Sequence, residues 1–167
     1  MIRLKGVFNQ EQRRHLLKDH DRIGALSFSV LAREKQPLVI DTRPPHEYTI
    51  GHLPNAINIP MQRLCRAELA DIVRQLGTDF DKMKERGDIP MQRLCRSGLA
   101  DIVRQLDTDC DKMKERGVYV ICRRGNDSQD AVLHLREKFK GLPVCIKDII
   151  GGYQKWSQIV DKDFPIY

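Results

Sequence analysis

The sequence predicts an α/β fold, a central and mainly parallel sheet with helices on both faces, plus an extra helical segment. Three observations lead there. Short, mostly apolar runs at 37–41, 56–59 and 118–122 have the length and composition of strands buried on both faces. Stretches with apolar residues at three- and four-residue steps separate those runs, and such alternation marks crossover connections in a parallel sheet. The 167 residues, 41% hydrophobic and 31% charged, suffice for one domain with an ordinary core and are too apolar for a disordered chain.

In chain order, residues 9–19 are polar around a Leu16-Leu17 pair and read as a short helix ending an N-terminal extension or linker, 1–21. The domain proper is expected at 22–167. It opens with a short strand at 22–25, and Ser27 is placed to cap a helix running to about residue 34. Strands follow at 37–41 and 56–59. Beyond them, Asn58 to Gly87 and Asp88 to Gly117 form two adjacent 30-residue units that match at 25 positions. Polar residues recur along with apolar ones, Gln62, Arg63 and Lys82 returning as Gln92, Arg93 and Lys112, which marks a tandem duplication and not a solenoid.

Each unit reads as helix. In the first, Met61, Leu64, Cys65, Leu69, Ile72, Leu76, Phe80 and Met83 form one stripe, with Pro60 suited to a first turn and Gly77 and Gly87 to helix ends. One copy is expected to pack on the sheet. The other should then project with part of its stripe uncovered, which favours a homodimer through the duplicated helices. After the units come the clearest strand, at 118–122, a helix at 128–139, a strand at 144–149, and a final helix from Tyr153 to about Val160.

Composition narrows the function classes. The net charge of +6 comes from Lys and Arg interleaved with acids, so nucleic-acid binding is allowed but not indicated. No window approaches the roughly 18 apolar residues of a membrane span, and the start, Met1-Ile2-Arg3-Leu4-Lys5-Gly6, lacks the apolar core of a signal peptide, so a cytoplasmic protein without a membrane partner is expected. The five cysteines, at 65, 95, 110, 122 and 145, include no Cys-x-x-Cys pair. Neither a disulfide framework nor a metal or other cofactor is expected.

Cys122 carries the chemistry. It stands where the best strand stops, before Arg123, Arg124, Gly125, Asn126, Asp127 and Ser128, and reactive groups in parallel sheets gather at carboxyl ends of strands. A short loop there can aim backbone N–H groups and a helix dipole at the sulfur, while the two arginines add positive charge. Gly125 permits the turn, and Asn126 or Asp127 can tie the loop or cap the helix. These features predict a thiol titrating below the ordinary value. A Cys/His hydrolase would need a histidine brought in by the fold, with His46 and His52 best placed, whereas amides need no base. That favours persulfide chemistry over acyl transfer.

Other segments now become recognisable. Leu38-Val39-Ile40-Asp41-Thr42-Arg43, then Glu47, then Gly51-His52-Leu53-Pro54-Asn55-Ala56-Ile57-Asn58-Ile59-Pro60 resembles the first signature of the rhodanese family. Gly151-Gly152-Tyr153-Gln154-Lys155-Trp156 resembles its C-terminal signature. The run from Cys122 to Gln129, with Phe164-Pro165-Ile166-Tyr167, is similar to the rhodanese domains that serve molybdenum cofactor synthesis and tRNA thiolation.

The resemblance implies a rhodanese-like fold and a sulfurtransferase. Its active cysteine, here Cys122, would take sulfane sulfur from a cysteine desulfurase or a small donor and pass it to the C-terminus of a ubiquitin-like sulfur carrier. Residues 123–128 correspond to the family's active-site loop. Asp41, Arg43 and Glu47 read as support, with Asp41 accepting hydrogen bonds from the loop and Arg43 pairing with Glu47; Trp156 reads as a core anchor. A related phosphatase would need arginine at the sixth position after cysteine, where Ser128 stands. The alternative from another class is a non-catalytic interaction module binding an acidic protein or tRNA. Asp127 is expected to disfavour small anionic donors such as thiosulfate.

Overall fold

The computed structural model describes residues 15–84 and 116–167, and residues 77–84 by their backbone alone. After a 3-10 turn at Asp19–Asp21, the order is β1 (Arg22–Ile23), α1 (Ala25–Lys35), β2 (Leu38–Asp41), α2 (Pro45–Ile50), β3 (Ala56–Asn58), α3 (Met61–Arg66) and α4 (Leu69–Lys84). Then come β4 (Val118–Ile121), α5 (Asp127–Lys138), β5 (Ile146–Ile149) and α6 (Gly152–Ile159). The strands make one sheet in the order β1-β5-β4-β2-β3, and every pairing is parallel.

The two-residue period of a strand divides the apolar runs between two layers. Leu38, Ile40, Val118, Val120 and Ile146 face α3, α4 and α5, meeting Leu64, Ile72, Val73, Leu76 and Leu135. Val39, Tyr119, Ile121 and Ile149 face the opposite way, onto Phe28 of α1 and Tyr153 and Trp156 of α6. All four residues of β4 are buried, as are all four of β2. Full burial of each large aliphatic side chain contributes about 1.5–3 kcal/mol, so the centre of the sheet is the most firmly held part of the fold. Trp156 is the core anchor expected of it, 8% exposed and edge-on to Phe28.

Local departures from the sequence reading have tertiary causes. Within 9–19, the described residues 15–18 are not helical; Leu17 instead sinks into the core. Helix α1 starts at Ala25, after Gly24, and has no side-chain cap, so Ser27 is an exposed first-turn residue. Burial of Ala25 and Phe28 sets that first turn in place of a cap. The first repeat unit makes two helices and not one, because Ala67 is extended (φ −69°, ψ 143°) and ends α3. Gly77 lies inside α4. One interior glycine costs about 1 kcal/mol against alanine, less than the burial of Ile72, Val73 and Leu76 supplies. The first unit therefore packs on the sheet. The second, apart from Arg116 and Gly117, lies outside the described residues, and so do the expected projecting helix and its uncovered stripe.

Candidate active site

Cys122 is the first residue beyond β4, the central strand, and is 2% exposed. The loop curls around its sulfur. The Gly125 N–H donates to Sγ at 3.0 Å, and Ser128 Oγ lies 3.2 Å from it. Gly125 takes φ +79°, and a Cβ there would lie 2.6 Å from the Gly151 nitrogen. Gly152, at φ +57°, leaves still less room, since a Cβ would lie 2.1 Å from the Cys122 carbonyl oxygen. The Gly-Gly turn is thus more than a strand-to-helix connection; it brings backbone directly against the cysteine loop. Across that contact the Tyr153 N–H donates to the Cys122 carbonyl and the Gln154 N–H to the Arg123 carbonyl, both at 2.9 Å. Gln129, 1% exposed, holds the far side, donating from Nε2 to the Gly125 carbonyl at 2.7 Å while Oε1 accepts the Leu16 N–H.

The amide cradle exists, but the titration expected from it is reversed. Burial pushes the Cys122 thiol above its ordinary value; the hydrogen bond with the Ser128 hydroxyl and those from the Ser128 and Arg124 amides lower it only in part, and the Asp127 charge raises it. The arginines do not offset this by contact, since Arg123 lies over the Tyr167 ring (4.7 Å to its centroid) and Arg124 is exposed. Asn126 makes no side-chain cap; its carbonyl accepts the Gln129 N–H. Asp127 is exposed at the start of α5.

Asp41 and Arg43 form a buried pair at the end of β2, with Nη2 2.6 Å from Oδ2 and Nε 3.0 Å from Oδ1. This corrects two expectations. Asp41 accepts from the Arg43 guanidinium and the Arg43 N–H, not from the cysteine loop. Arg43 pairs with Asp41 two residues away, not with Glu47, because both ends of that pair are buried whereas Glu47 is half-exposed and accepts a hydrogen bond from the Tyr167 hydroxyl. The guanidinium also donates to the Gly51 carbonyl and the Tyr167 hydroxyl and stacks 3.8 Å from the centre of the Tyr153 ring. It therefore steadies the first turn of α6, the turn that bonds the cysteine loop. His46 and His52 are exposed, and His52 stacks on Tyr48. Among the described residues no histidine is hydrogen-bonded to Cys122, and no group of three His, Cys, Asp or Glu side chains is placed to hold a metal ion.

Sequence reasoning missed Asp148, Arg22 and Gln129. Ser128 Oγ donates to Asp148 Oδ1 at 2.6 Å, and Arg22 Nε donates to Asp148 Oδ2 at 2.8 Å. Asp148 is fully buried, and burial pushes its carboxyl up against the opposing pull of Ser128 and Arg22. A carboxylate at a buried position between the isoleucines of β5 was the available signal, because such a group needs partners.

Residues 27–159 match the family model described as the rhodanese-like domain. The chain belongs to the rhodanese-like family. This rhodanese-like domain is 34% identical over 154 residues to an adenylyltransferase and sulfurtransferase MOCS3 of Arabidopsis thaliana, covering 92% of this chain and 27% of that protein. With the MOCS3 of Drosophila virilis it is 35% identical over 153 residues, covering 91% and 26%, and with the adenylyltransferase and sulfurtransferase uba4 of Ogataea parapolymorpha 33% identical, covering 92% and 28%. The chain thus spans about a quarter of the length of these relatives. Among solved structures, the human single-domain sulfurtransferase TSTD1 superimposes with a TM-score of 0.51 at 15% identity, covering 83% of this chain and 96% of that one. A Saccharomyces cerevisiae protein gives 0.52 at 16%, covering 85% and 95%. Both share the fold.

Proposed function

We propose that this domain is a sulfurtransferase that carries sulfane sulfur as a persulfide on Cys122. One observation carries the reading: a single cysteine at the end of the central strand has its sulfur in a closed loop, 3.0 Å from a backbone N–H donor. The chemistry runs as an exchange at sulfur. The Cys122 thiolate attacks the outer sulfur of a donor persulfide, a new S–S bond forms, the donor's S–S bond breaks, and the donor leaves as its thiolate. The loop amides then face the negative charge that the outer sulfur of the Cys122 persulfide carries.

The likeness to the adenylyltransferase and sulfurtransferases supports the finer reading. The donor is a cysteine desulfurase or a small sulfane-sulfur compound, and the acceptor is the activated C-terminus of a ubiquitin-like sulfur carrier in molybdenum cofactor synthesis and tRNA thiolation. Residues 123–128 form the active-site loop of a domain at 22–167. Asp41, Arg43 and Glu47 support it through Tyr153 and Tyr167. Phosphoryl transfer is disfavoured by Ser128 at the position where a phosphate-gripping arginine would stand.

Peptide mass spectrometry after incubation with a cysteine desulfurase plus cysteine, or with thiosulfate, tests the proposal. The expected product is a labile one-sulfur adduct on Cys122 that Cys122→Ser lacks. A folded protein that gains no sulfur from either donor overturns it. The 2% exposure of Cys122 favours one other reading, a non-catalytic interaction module for an acidic protein or tRNA, and a folded, unreactive protein is the outcome that reading expects.

A further inference from the structure

A buried thiol held above its ordinary titration is a poor nucleophile at neutral pH, and no histidine among the described residues bonds it. The thiol nevertheless begins a chain of buried groups that leads away from the loop. Cys122 Sγ lies 3.2 Å from Ser128 Oγ, which lies 2.6 Å from Asp148 Oδ1, with Ser128 and Asp148 both fully buried. An ionised carboxylate only accepts, so the Ser128 proton points at Asp148. That leaves a lone pair of the Ser128 oxygen for the thiol proton.

We infer that Asp148, acting through the Ser128 hydroxyl, is the proton acceptor that makes Cys122 nucleophilic. The inference rests on the sulfurtransferase reading for its purpose but not for its test. In the step, the Cys122 S–H bond breaks and an O–H bond forms on Ser128, while the original Ser128 O–H bond breaks and one forms on Asp148 Oδ1. The negative charge moves from carboxylate to sulfur, the net charge is unchanged, and no further reactant is needed. Ser128 ends by donating to the thiolate and accepting from Asp148. Arg22 of β1 and Asp127 of α5 are the charged groups acting on the pair. Arg22 fixes Oδ2 and leaves Oδ1 to the relay, and Asp127 opposes charge on the sulfur. A carboxyl pushed up by burial, as Asp148 is, accepts a proton more readily than an exposed one.

A shared proton has a signature that a purely structural carboxylate lacks. Between the two ionisations of a coupled pair the thiolate fraction does not change with pH. The rate of Cys122 alkylation by iodoacetamide, followed by mass spectrometry between about pH 5 and 10, should therefore rise, level off and rise again in the wild type. Asp148→Asn should give a single continuous rise. Ser128→Ala leaves the Asp148–Arg22 pair in place and should also give a single rise, with the neutral-pH rate reduced about tenfold, the worth of one hydrogen bond to a charged group. A wild type with one ionisation, or a plateau that survives in both variants, overturns the relay. No sulfur donor is present in this assay. A plateau without sulfur uptake would uphold the relay and sink the sulfurtransferase reading, and sulfur uptake with a single ionisation would do the reverse.

Discussion

Arg43 and Asp41 neutralise one another where water does not reach, and removing either leaves a buried charge alone. Arg43→Ala should lower stability by about 3–5 kcal/mol, read as a fall in the midpoint of denaturant unfolding. Gly152 is constrained by space and by backbone angle together, since a Cβ would meet the Cys122 carbonyl at 2.1 Å and φ is +57°. Gly152→Ala should therefore cost at least about 2 kcal/mol and displace the cysteine loop, so a loss of sulfur uptake by the folded fraction is expected alongside the loss of stability. Cys122 itself links folding to pH. Because its titration is raised on folding, its contribution to stability is intact below the titration of an unfolded thiol and is lost as pH rises through the folded value. Alkaline unfolding curves of wild type and Cys122→Ser should diverge in that range, with the wild type losing more; parallel curves would contradict the assigned direction.

At the scale of elements, the loop between β4 and α5 sets how charge reaches the sulfur. Asp127 is exposed, yet its charge acts on the thiol, so Asp127→Ala should quicken sulfur uptake from thiosulfate severalfold, and equal rates would count against an electrostatic filter. The duplicated helices give a second test. Leu76 is 1% exposed in the layer formed with α5, and Leu76→Ala should cost about 2–5 kcal/mol in thermal or chemical unfolding. Its counterpart by sequence, Leu106, lies outside the described residues. One position on the sheet holds one side chain, so Leu106→Ala should cost much less; equal costs would mean that the two units pack equivalently.

For the whole molecule, the duplication leaves two like stripes in the sequence, of which the first packs in the core and the second lies outside the described residues. Light scattering should detect a dimer whose population falls when residues 88–117 are deleted, and a strict monomer would end that expectation. No described helix is long and apolar enough to cross a membrane. Much was legible in the residues alone. Apolar runs such as Val118-Tyr119-Val120-Ile121 can be buried on both faces in few ways, so the parallel sheet, its layers, Cys122 at a strand end and the family followed from local pattern. The start of α1, the break at Ala67 and the partner of Arg43 did not, because each depends on which surface a neighbour covers. Asp148 was hidden for the same reason. Its 126-residue separation from Arg22 and 20-residue separation from Ser128 carry no local signal, and only the pairing of β1 with β5 and the packing of α5 bring the three together. Sequence determined which apolar runs build the sheet and where the sulfur stands; tertiary structure decided which charges meet and how the thiol titrates, since burial and distance are properties of the assembled fold.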